Sequence, residues 1–396
     1  MNDLKNIIQG FKASAISAGL KKDNALDLAL IFSEKEAAAA GVFTTNKVKA
    51  APVILSRENI NHGKVRAIVA NAGNANACNG EQGLSDARRT AELVAEELGI
   101  RCDEVLVAST GVIGQPLDMG LITAAIPGLV ANLSQEGMDR AAQAIMTTDS
   151  FSKIISFEGQ AGLRSYRILG IAKGAGMIMP NMATMLCFIL SDIRIDSERL
   201  KEAALSSVAT TFNRITVDGD TSTNDMVLIM ANGMAGNRAL TETDYNVFKA
   251  GLREVMGGLA TMIVRDGEGA TRVIKVEVKG AQSASDALGA ARIVANSTLV
   301  KTAFYGRDPN WGRILAALGR AGIVMEEKSV DIWIDDIQIV EMGIGKGRES
   351  EKMAAVRMNR EEFVLSIDLH QGGYSDFITT CDLTHEYITI NAGYRS

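Results

Sequence analysis

Lys173-Gly-Ala-Gly-Met-Ile-Met-Pro-Asn-Met-Ala-Thr-Met-Leu-Cys-Phe-Ile-Leu190 is a stretch in which a glycine-rich loop runs directly into an apolar segment. Its proline and asparagine are typical of a turn. The run from Met185 to Leu190 predicts a buried strand, because it is short and apolar throughout. Thr184 stands where the loop enters this strand. On the local pattern it is a β-branched core residue, and its alternative role is a hydroxyl held in one geometry by the core behind it.

The composition is that of a soluble globular protein. The chain has 396 residues, enough for two or three domains, with 47% hydrophobic and 22% charged residues. A net charge of −6 and the lack of a long basic block argue against nucleic acid or an anionic membrane as the main partner. The sequence contains neither a signal-peptide core nor 18 consecutive apolar residues, and its four cysteines form no C-x-x-C pair. We therefore expect a cytoplasmic protein.

Apolar runs and helical periodicity alternate along the chain and predict the α/β class. Predicted strands include short ones within residues 12–55, the last at Val53 to Leu55, and then Val65 to Ala70, Glu104 to Ala108, two or three within 153–190, Met226 to Met230 and Arg272 to Lys279. Predicted helices are Gln82 to Leu98, Leu117 to Leu133, Gln135 to Met146, Ser197 to Thr211, Thr241 to Val264 and Ser283 to Asn296. The residues from Phe304 to Arg313 are predicted to form a loop. A shift in composition suggests two domains, 1–280 and 281–396.

Two loops at predicted strand ends carry residues that suit an active site. Asn71 to Gly80 is rich in asparagine and glycine, and it is either a long polar turn or an active-site edge. Ser109-Thr-Gly-Val-Ile-Gly114 follows a strand, and its Thr-Gly step exposes a backbone N–H of the kind that forms an oxyanion hole. The alternative for this second loop is a plain strand-end turn.

Two further stretches carry acidic residues in a setting that could form a site. Asp218-Gly-Asp-Thr-Ser-Thr-Asn-Asp225 begins like a calcium loop, but it lacks the central glycine, and Ile229 stands where the bidentate glutamate is required. Calcium is therefore rejected. Glu268 lies between two glycines, and its simplest interpretation is an exposed carboxylate in a turn.

The sequence lacks the residues that several common catalytic and binding sites require. The three histidines stand in unrelated contexts, so a Ser–His–Asp triad or a site with several histidine ligands is hard to assemble. Neither a phosphate-binding Gly-Lys-Ser/Thr loop nor a complete dinucleotide fingerprint occurs. A nucleophile would have to be activated without histidine or metal. An amino-terminal threonine can use its own α-amine, with a pKa of about 8, but here that would require an internal cut.

The stretch from Lys173 to Leu186 closely resembles the self-cleavage motif of the glutamate N-acetyltransferase, or ornithine acetyltransferase, family of arginine biosynthesis. The resemblance covers essentially the whole chain. Further matching stretches are Asn71 to Asn76, Ser109 to Gly114, Thr147 to Asp149, Asp218 to Asp225, Gly306 to Arg313 and Asn391 to Ser396.

The resemblance implies a layered α/β sandwich, shared with self-processing aminopeptidases, and a smaller C-terminal α/β domain. It implies a cut between Ala183 and Thr184 that leaves an α chain of 183 residues and a β chain of 396 − 183 = 213. Thr184 would then be the nucleophile. Thr110 and Gly111 would form the oxyanion hole. The implied substrate contacts are Thr147, Lys173, Thr184, Glu268, Asn391 and Ser396.

The same resemblance implies transfer of an acetyl group from N2-acetylornithine to glutamate through an acetyl-threonine intermediate. It implies an assembly of two α and two β chains, and neither a cofactor nor a metal. Acetyl-CoA is a further candidate co-substrate, and no residue decides whether it is used. Two alternatives stay open at this point: a self-processing aminopeptidase or amidohydrolase, and a non-catalytic α/β binding protein that is never cut.

Overall fold

The computed structural model describes residues 6–179 and 185–393, and these form two compact units. The first unit comprises the described residues up to 213 together with 220–263. The second comprises 214–219 and the described residues from 264 onward. The predicted boundary at 280/281 differs from this division, because the strand Val273–Ala281 pairs with two strands of the second unit.

The first unit contains most of the sequence that was predicted to carry the site. Its strands are β1 (Phe11–Ile16), β2 (Leu28–Phe43), β3 (Val65–Asn74), β4 (Val105–Val112), β5 (Lys153–Ala161), β6 (Arg164–Lys173), β7 (Leu186–Ser191) and β8 (Met226–Ala231). Its helices are α1 (Ala51–Ile60), α2 (Gly80–Leu98), α3 (Met119–Ala131), α4 (Met138–Ala144), α5 (Ser197–Thr210) and α6 (Glu242–Arg265), the last of which ends just past the boundary.

A single mixed sheet organises this unit, with the order β4-β3-β2-β8-β7-β6-β5 and β1 paired to β2. The β3/β4 and β7/β8 pairs are parallel. Successive residues of β2, β3 and β4 enter different cores. Ile68 packs with β1 and α4, whereas its neighbours Ala67 and Val69 pack with α1, α2 and α3. The sheet is therefore buried on both faces, which explains why these strands are apolar runs rather than alternating ones.

Glycines allow α6 to approach the sheet closely. A Cβ added to Gly251 would lie 2.3 Å from the ring of Phe157, and one added to Gly258 would lie 2.3 Å from Ile155. Both partners are on β5. The small residues that are abundant in the composition are thus used where a helix meets a strand.

The second unit has its own sheet, with the order β12-β11-β10-β13-β9-β14. Its strands are β9 (Val273–Ala281), β10 (Asp331–Ile334), β11 (Ile337–Glu341), β12 (Ile344–Gly345), β13 (Glu362–Asp368) and β14 (Tyr374–Cys381). Its further helices are α7 (Ala284–Ala295), α8 (Thr298–Gly306), α9 (Trp311–Leu318), α10 (Arg348–Arg357) and α11 (His385–Gly393). Ile274, Val276 and Val278 of β9 lie in the core, and the residues between them carry charges, as its alternating sequence predicts.

Two local predictions were wrong. Val53 to Leu55 lies in α1 and not in a strand. Pro52 occupies the first turn of that helix, where its missing N–H is tolerated. A run of only three apolar residues does not distinguish the periodicity of a helix from that of a strand. The predicted loop from Phe304 to Arg313 contains the end of α8 and the start of α9. The Asn310 side chain caps α9 by accepting a bond from the backbone N–H of Arg313.

No helix in the part of the chain that the structure describes is both long and apolar enough to cross a membrane.

Candidate active site

Lys173 is the centre of a polar cluster in the first unit. It is the last residue of β6, where it pairs with Leu186 at the start of β7. Its ammonium group donates to Thr147 Oγ1 at 2.7 Å and to Thr110 Oγ1 at 3.2 Å. The lysine is only 4% exposed. Three of the residues predicted from the sequence, far apart along the chain, therefore meet at one buried ammonium group.

Thr110 and Gly111 lie side by side near the end of β4. Because Thr110 Oγ1 accepts a hydrogen bond from Lys173, its own proton is directed at another acceptor. Gly111 has φ +130°, and a Cβ there would lie 2.3 Å from the carbonyl carbon of Gly73 on the neighbouring strand. Only glycine fits this backbone. The role of the pair as an oxyanion hole stays a prediction.

Asp149 fixes the backbone on both sides of this cluster. Its Oδ1 accepts from Lys153 Nζ at 2.6 Å and from the backbone N–H of Gly174 at 2.6 Å. Its Oδ2 accepts from the backbone N–H of Thr147 at 2.9 Å. Burial by itself would raise the pKa of Asp149, but the charges of Lys173 and Lys153 outweigh it and hold that pKa below the usual range. The side chain is therefore an ionised carboxylate at neutral pH.

A second amine lies within electrostatic reach of Lys173. Lys21 Nζ donates to the backbone oxygens of Leu26 at 2.7 Å and Ala144 at 2.9 Å. Burial lowers the pKa of Lys21 to about 8, and the charge of Lys173 acts in the same direction. Its charge consequently changes just above neutral pH.

The asparagine-rich loop after β3 is part of the same scaffold. Asn71 Oδ1 accepts from the Ser109 hydroxyl at 2.5 Å, which joins the ends of β3 and β4. Asn224 Nδ2 donates to the backbone oxygens of Ala75 at 2.6 Å and Ser109 at 2.8 Å. These buried hydrogen bonds show that the loop is packed into the first unit, and its role as an active-site edge stays a prediction.

A separate polar cluster lies in the second unit. Asn391 Nδ2, on α11, donates to Glu268 Oε2 at 2.7 Å. Glu268 is 9% exposed, so its interpretation as an exposed turn carboxylate is wrong. The turn is held in place because Thr384 Oγ1 donates to the backbone oxygen of Gly269, which has φ +68°. The structure thus brings together two further predicted substrate contacts, Glu268 and Asn391.

Three predicted site residues, Ala183, Thr184 and Ser396, lie outside the described residues. Within the described ranges, no group of three or more His, Cys, Asp or Glu side chains is arranged to hold a metal ion. The cysteines at 78, 102, 187 and 381 are all free thiols.

Sequence reasoning missed three residues of the cluster: Asp149, Lys153 and Lys21. Asp149 could have been found, because Thr147-Thr-Asp149 is one of the matching stretches. Lys153, four residues later, is fully buried, and a lysine in the sequence carries no sign of that. Lys21 has no local signal either.

Comparison with known proteins identifies the relatives of this chain. A model of the ArgJ family matches residues 12–396. The chain is 51% identical over 391 residues to the arginine biosynthesis bifunctional protein ArgJ of Geobacter sulfurreducens, with 98% of this chain and 100% of the relative covered. It is 48% identical over 400 residues to the glutamate N-acetyltransferase of Methanocaldococcus jannaschii, covering 98% and 97%.

A solved structure agrees with these relatives. The crystal structure of the arginine biosynthesis bifunctional protein ArgJ from Bacillus halodurans has 42% sequence identity and a TM-score of 0.50. The match covers 52% of this chain and 98% of that chain.

The ion pair between Asp149 and Lys153 provides a test of the cluster. Asp149→Asn removes the counter-ion of a fully buried ammonium, and we expect it to lower the free energy of unfolding at pH 7 by about 3–5 kcal/mol. Asp103→Asn, which breaks an ion pair exposed at the surface, should cost less than about 1 kcal/mol. Urea denaturation of both variants measures the difference, and equal midpoints for wild type and Asp149→Asn would contradict the assignment.

The same variant should respond differently to acid. The folded pKa of Asp149 lies below its unfolded value of about 3.9, so its contribution is complete above that pH and is lost as the pH falls through the folded pKa. The stability difference between wild type and Asp149→Asn should therefore shrink below about pH 4.

Proposed function

This chain belongs to the ArgJ family, and we infer that it is a glutamate N-acetyltransferase of arginine biosynthesis. The observation that carries this conclusion is the match across residues 12–396, at 48–51% identity to relatives of nearly the same length. The enzyme takes an acetyl group from N2-acetylornithine and gives it to glutamate. Within the first unit, Thr110, Thr147 and Lys173 converge as an acyl-transfer site needs.

We propose that Thr184 is the nucleophile. Its α-amine, exposed by the cut, takes the Oγ proton, and Oγ attacks the acetyl carbonyl. The Thr110 hydroxyl and the Gly111 N–H hold the oxyanion. Ornithine leaves with a proton returned by the ammonium. Glutamate then attacks the acetyl-threonine ester through its own neutral amine. As the new amide bond forms, the bond between the acetyl carbon and Oγ breaks, and the proton of the glutamate amine passes to Oγ through the α-amine of Thr184, which closes a ping-pong cycle.

Lys173 supports this chemistry as a fixed positive charge. Its bond to Thr110 Oγ1 turns the hydroxyl proton of Thr110 away from the lysine, so that this proton can be donated to the oxyanion. A buried cation beside Thr110 also stabilises negative charge that develops on the acetyl oxygen. Asp149 keeps the Lys173 backbone in place through the next residue, Gly174.

The cut between Ala183 and Thr184 is part of the same proposal. The matched part of this chain, 52% of 396 residues, is about 206 residues and makes up 98% of the Bacillus halodurans chain, which therefore has about 210. The β chain proposed here has 396 − 183 = 213 residues. A relative represented by a chain of this length supports a precursor that is divided in two.

Glu268 and Asn391 are proposed substrate contacts in the second unit. Among the described residues, the Glu268 carboxylate accepts one side-chain hydrogen bond, from Asn391. Such a buried carboxylate is suited to bind the ammonium group of an amino-acid substrate. Ser396 is proposed as a further contact from the resemblance alone. Two α and two β chains, a cytoplasmic location, catalysis without a cofactor or metal, and acetyl-CoA as a second donor also stay proposals.

Substitution of the nucleophile tests cleavage and transfer together. Thr184→Ala should leave one chain of 42.2 kDa without acetyltransferase activity, because no hydroxyl can attack the Ala183 carbonyl or the acetyl group. Thr184→Ser keeps the hydroxyl and the amine and should still divide. Intact mass spectrometry separates these outcomes, and two chains from Thr184→Ala would disprove the role of Thr184.

A donor assay distinguishes the transferase from a self-processing hydrolase. With acetylornithine and glutamate, we expect acetylglutamate and ornithine in equal amounts. With acetylornithine alone, only a small release of acetate is expected, because the acetyl-threonine ester of a transferase reacts with an acceptor amine and only slowly with water. Acetate formed at the same rate with and without glutamate would favour the hydrolase. A parallel assay with acetyl-CoA and glutamate tests the second donor.

Glu268→Gln tests the proposed substrate contact in the second unit. Loss of a charged hydrogen bond to a substrate ammonium should lower kcat/KM for acetylornithine by about 10- to 100-fold, mainly through a higher KM. Glu386→Gln changes an exposed glutamate of the same unit and is the matched control. Steady-state kinetics that are unaltered in Glu268→Gln would remove Glu268 from the site.

A further inference from the structure

The acidic stretch Asp218 to Asp225 has no role in the mechanism above, yet its last two residues are among the most buried polar groups of the first unit. Asp225 is fully buried and immediately precedes β8. Its backbone oxygen accepts from the N–H of Thr44, at the end of β2. Such a residue requires a physical reason, since a buried carboxyl group is costly unless it is paired.

The Asp225 side chain holds the start of strand β7. Its Oδ1 accepts from the backbone N–H of Met185 at 2.9 Å. The Met185 backbone oxygen accepts in turn from the N–H of Met226 at 3.1 Å. Both backbone groups of Met185 are therefore fixed by two consecutive residues. Met185 N is the atom bonded to the carbonyl carbon of Thr184 in the sequence, so the hydrogen bond from Asp225 is made to the peptide unit that these two residues share.

The other oxygen of this carboxyl group differs, because the described part of the chain gives it no hydrogen bond. Asp225 Oδ2 is buried and makes no hydrogen bond with any described residue. Burial raises the pKa of Asp225 well above its ordinary range, and the charge of Lys173 offsets this only in part. A neutral carboxylic acid accepts through one oxygen and donates through the other, so the group can accept from Met185 while offering an O–H to a further acceptor.

The preceding residue reaches the other half of the site. Asn224 Nδ2 donates to the backbone oxygens of Ser109 and Ala75. Ser109 is covalently followed by Thr110 and Gly111. Two adjacent side chains thus bind the strand that carries the proposed oxyanion hole and the peptide that follows the proposed nucleophile.

We propose that Asp225 is a positioning residue, which fixes the peptide unit after Thr184 and thereby sets the distance between the Thr184 hydroxyl and the oxyanion hole. This inference rests on the proposed function, in which Thr184 is the nucleophile. It acts on both reactions of that residue, because self-cleavage and acetyl transfer each require Oγ at a fixed distance from a carbonyl carbon.

Two substitutions of similar size separate the roles of shape and hydrogen bonding. Asp225→Leu cannot accept from Met185, and we expect precursor cleavage and kcat to fall by about 10- to 100-fold, the usual effect of leaving one buried group unpaired. KM for acetylornithine should stay within about twofold. Asp225→Asn keeps the acceptor oxygen and replaces the O–H by an N–H donor, so it should restore both rates to within about threefold of wild type. Intact mass spectrometry over time and steady-state kinetics provide the measurements.

Asp192 is the matched control, since it is a buried aspartate just past the opposite end of β7 and accepts from the backbone N–H of Arg167 at 2.8 Å. Asp192→Leu should lower the melting temperature but leave the cleavage rate unchanged. If Asp225→Leu does not fold, Asp225→Ser, which is too short to reach Met185 N–H, takes its place.

Wild-type cleavage and kcat in Asp225→Leu would overturn the inference, as would an Asp225→Asn variant as impaired as Asp225→Leu. Activity that survives Thr184→Ala would instead refute the proposed function itself, so the two failures are distinguishable.

Discussion

The first unit depends on one buried interaction, the carboxylate of Asp149 between two lysines. One oxygen binds Lys153 Nζ and the backbone N–H of Gly174, and the other binds the backbone N–H of Thr147. Isolated in the interior, any of these charges would be strongly destabilising. Together they surround Lys173, which is almost completely buried, with its ammonium on Thr147 and Thr110. The position of the site is therefore set by the balance between the carboxylate and the two ammonium groups, together with hydrogen bonds from the segments around residues 110, 147–153 and 173–174.

The sheet explains why these segments meet. β6 ends at Lys173, which pairs with Leu186 at the start of β7, and Leu186 pairs with Met226 at the start of β8. The cation, the peptide after residue 184 and the Asp225 carboxyl group thus belong to one edge of one sheet. Because neighbouring strands are held about 4.8 Å apart, such an edge positions groups more precisely than a loop does.

The sequence predicted the strands and loops that carry this site better than the contacts between their side chains. The strand from Met185 and the stretches around Thr110 and Thr147 are recognisable because each has its own local pattern. The ion pair of Lys153 with Asp149 was not predictable, since nothing in a sequence tells which lysine becomes buried. Glu268 was misjudged for the related reason that two flanking glycines suggest exposure. The structure instead places Asn391, more than a hundred residues away in the sequence, where its Nδ2 donates to that carboxylate and to the backbone oxygen of Tyr387. Burial is a property of the assembled fold, and for this reason the local sequence did not predict it for these residues.

The pKa values of two buried aspartates within the field of the same lysine are shifted in opposite directions. Burial raises the pKa of both, and the charge of Lys173 lowers both. Asp149 has in addition the ammonium of Lys153 and two backbone N–H donors, so the ionised form prevails. For Asp225, the N–H of Met185 and the charge of Lys173 do not offset burial, so its pKa is raised well above the ordinary range. This shift disfavours a second negative charge near Lys173, which keeps the positive charge of that lysine available to the oxyanion.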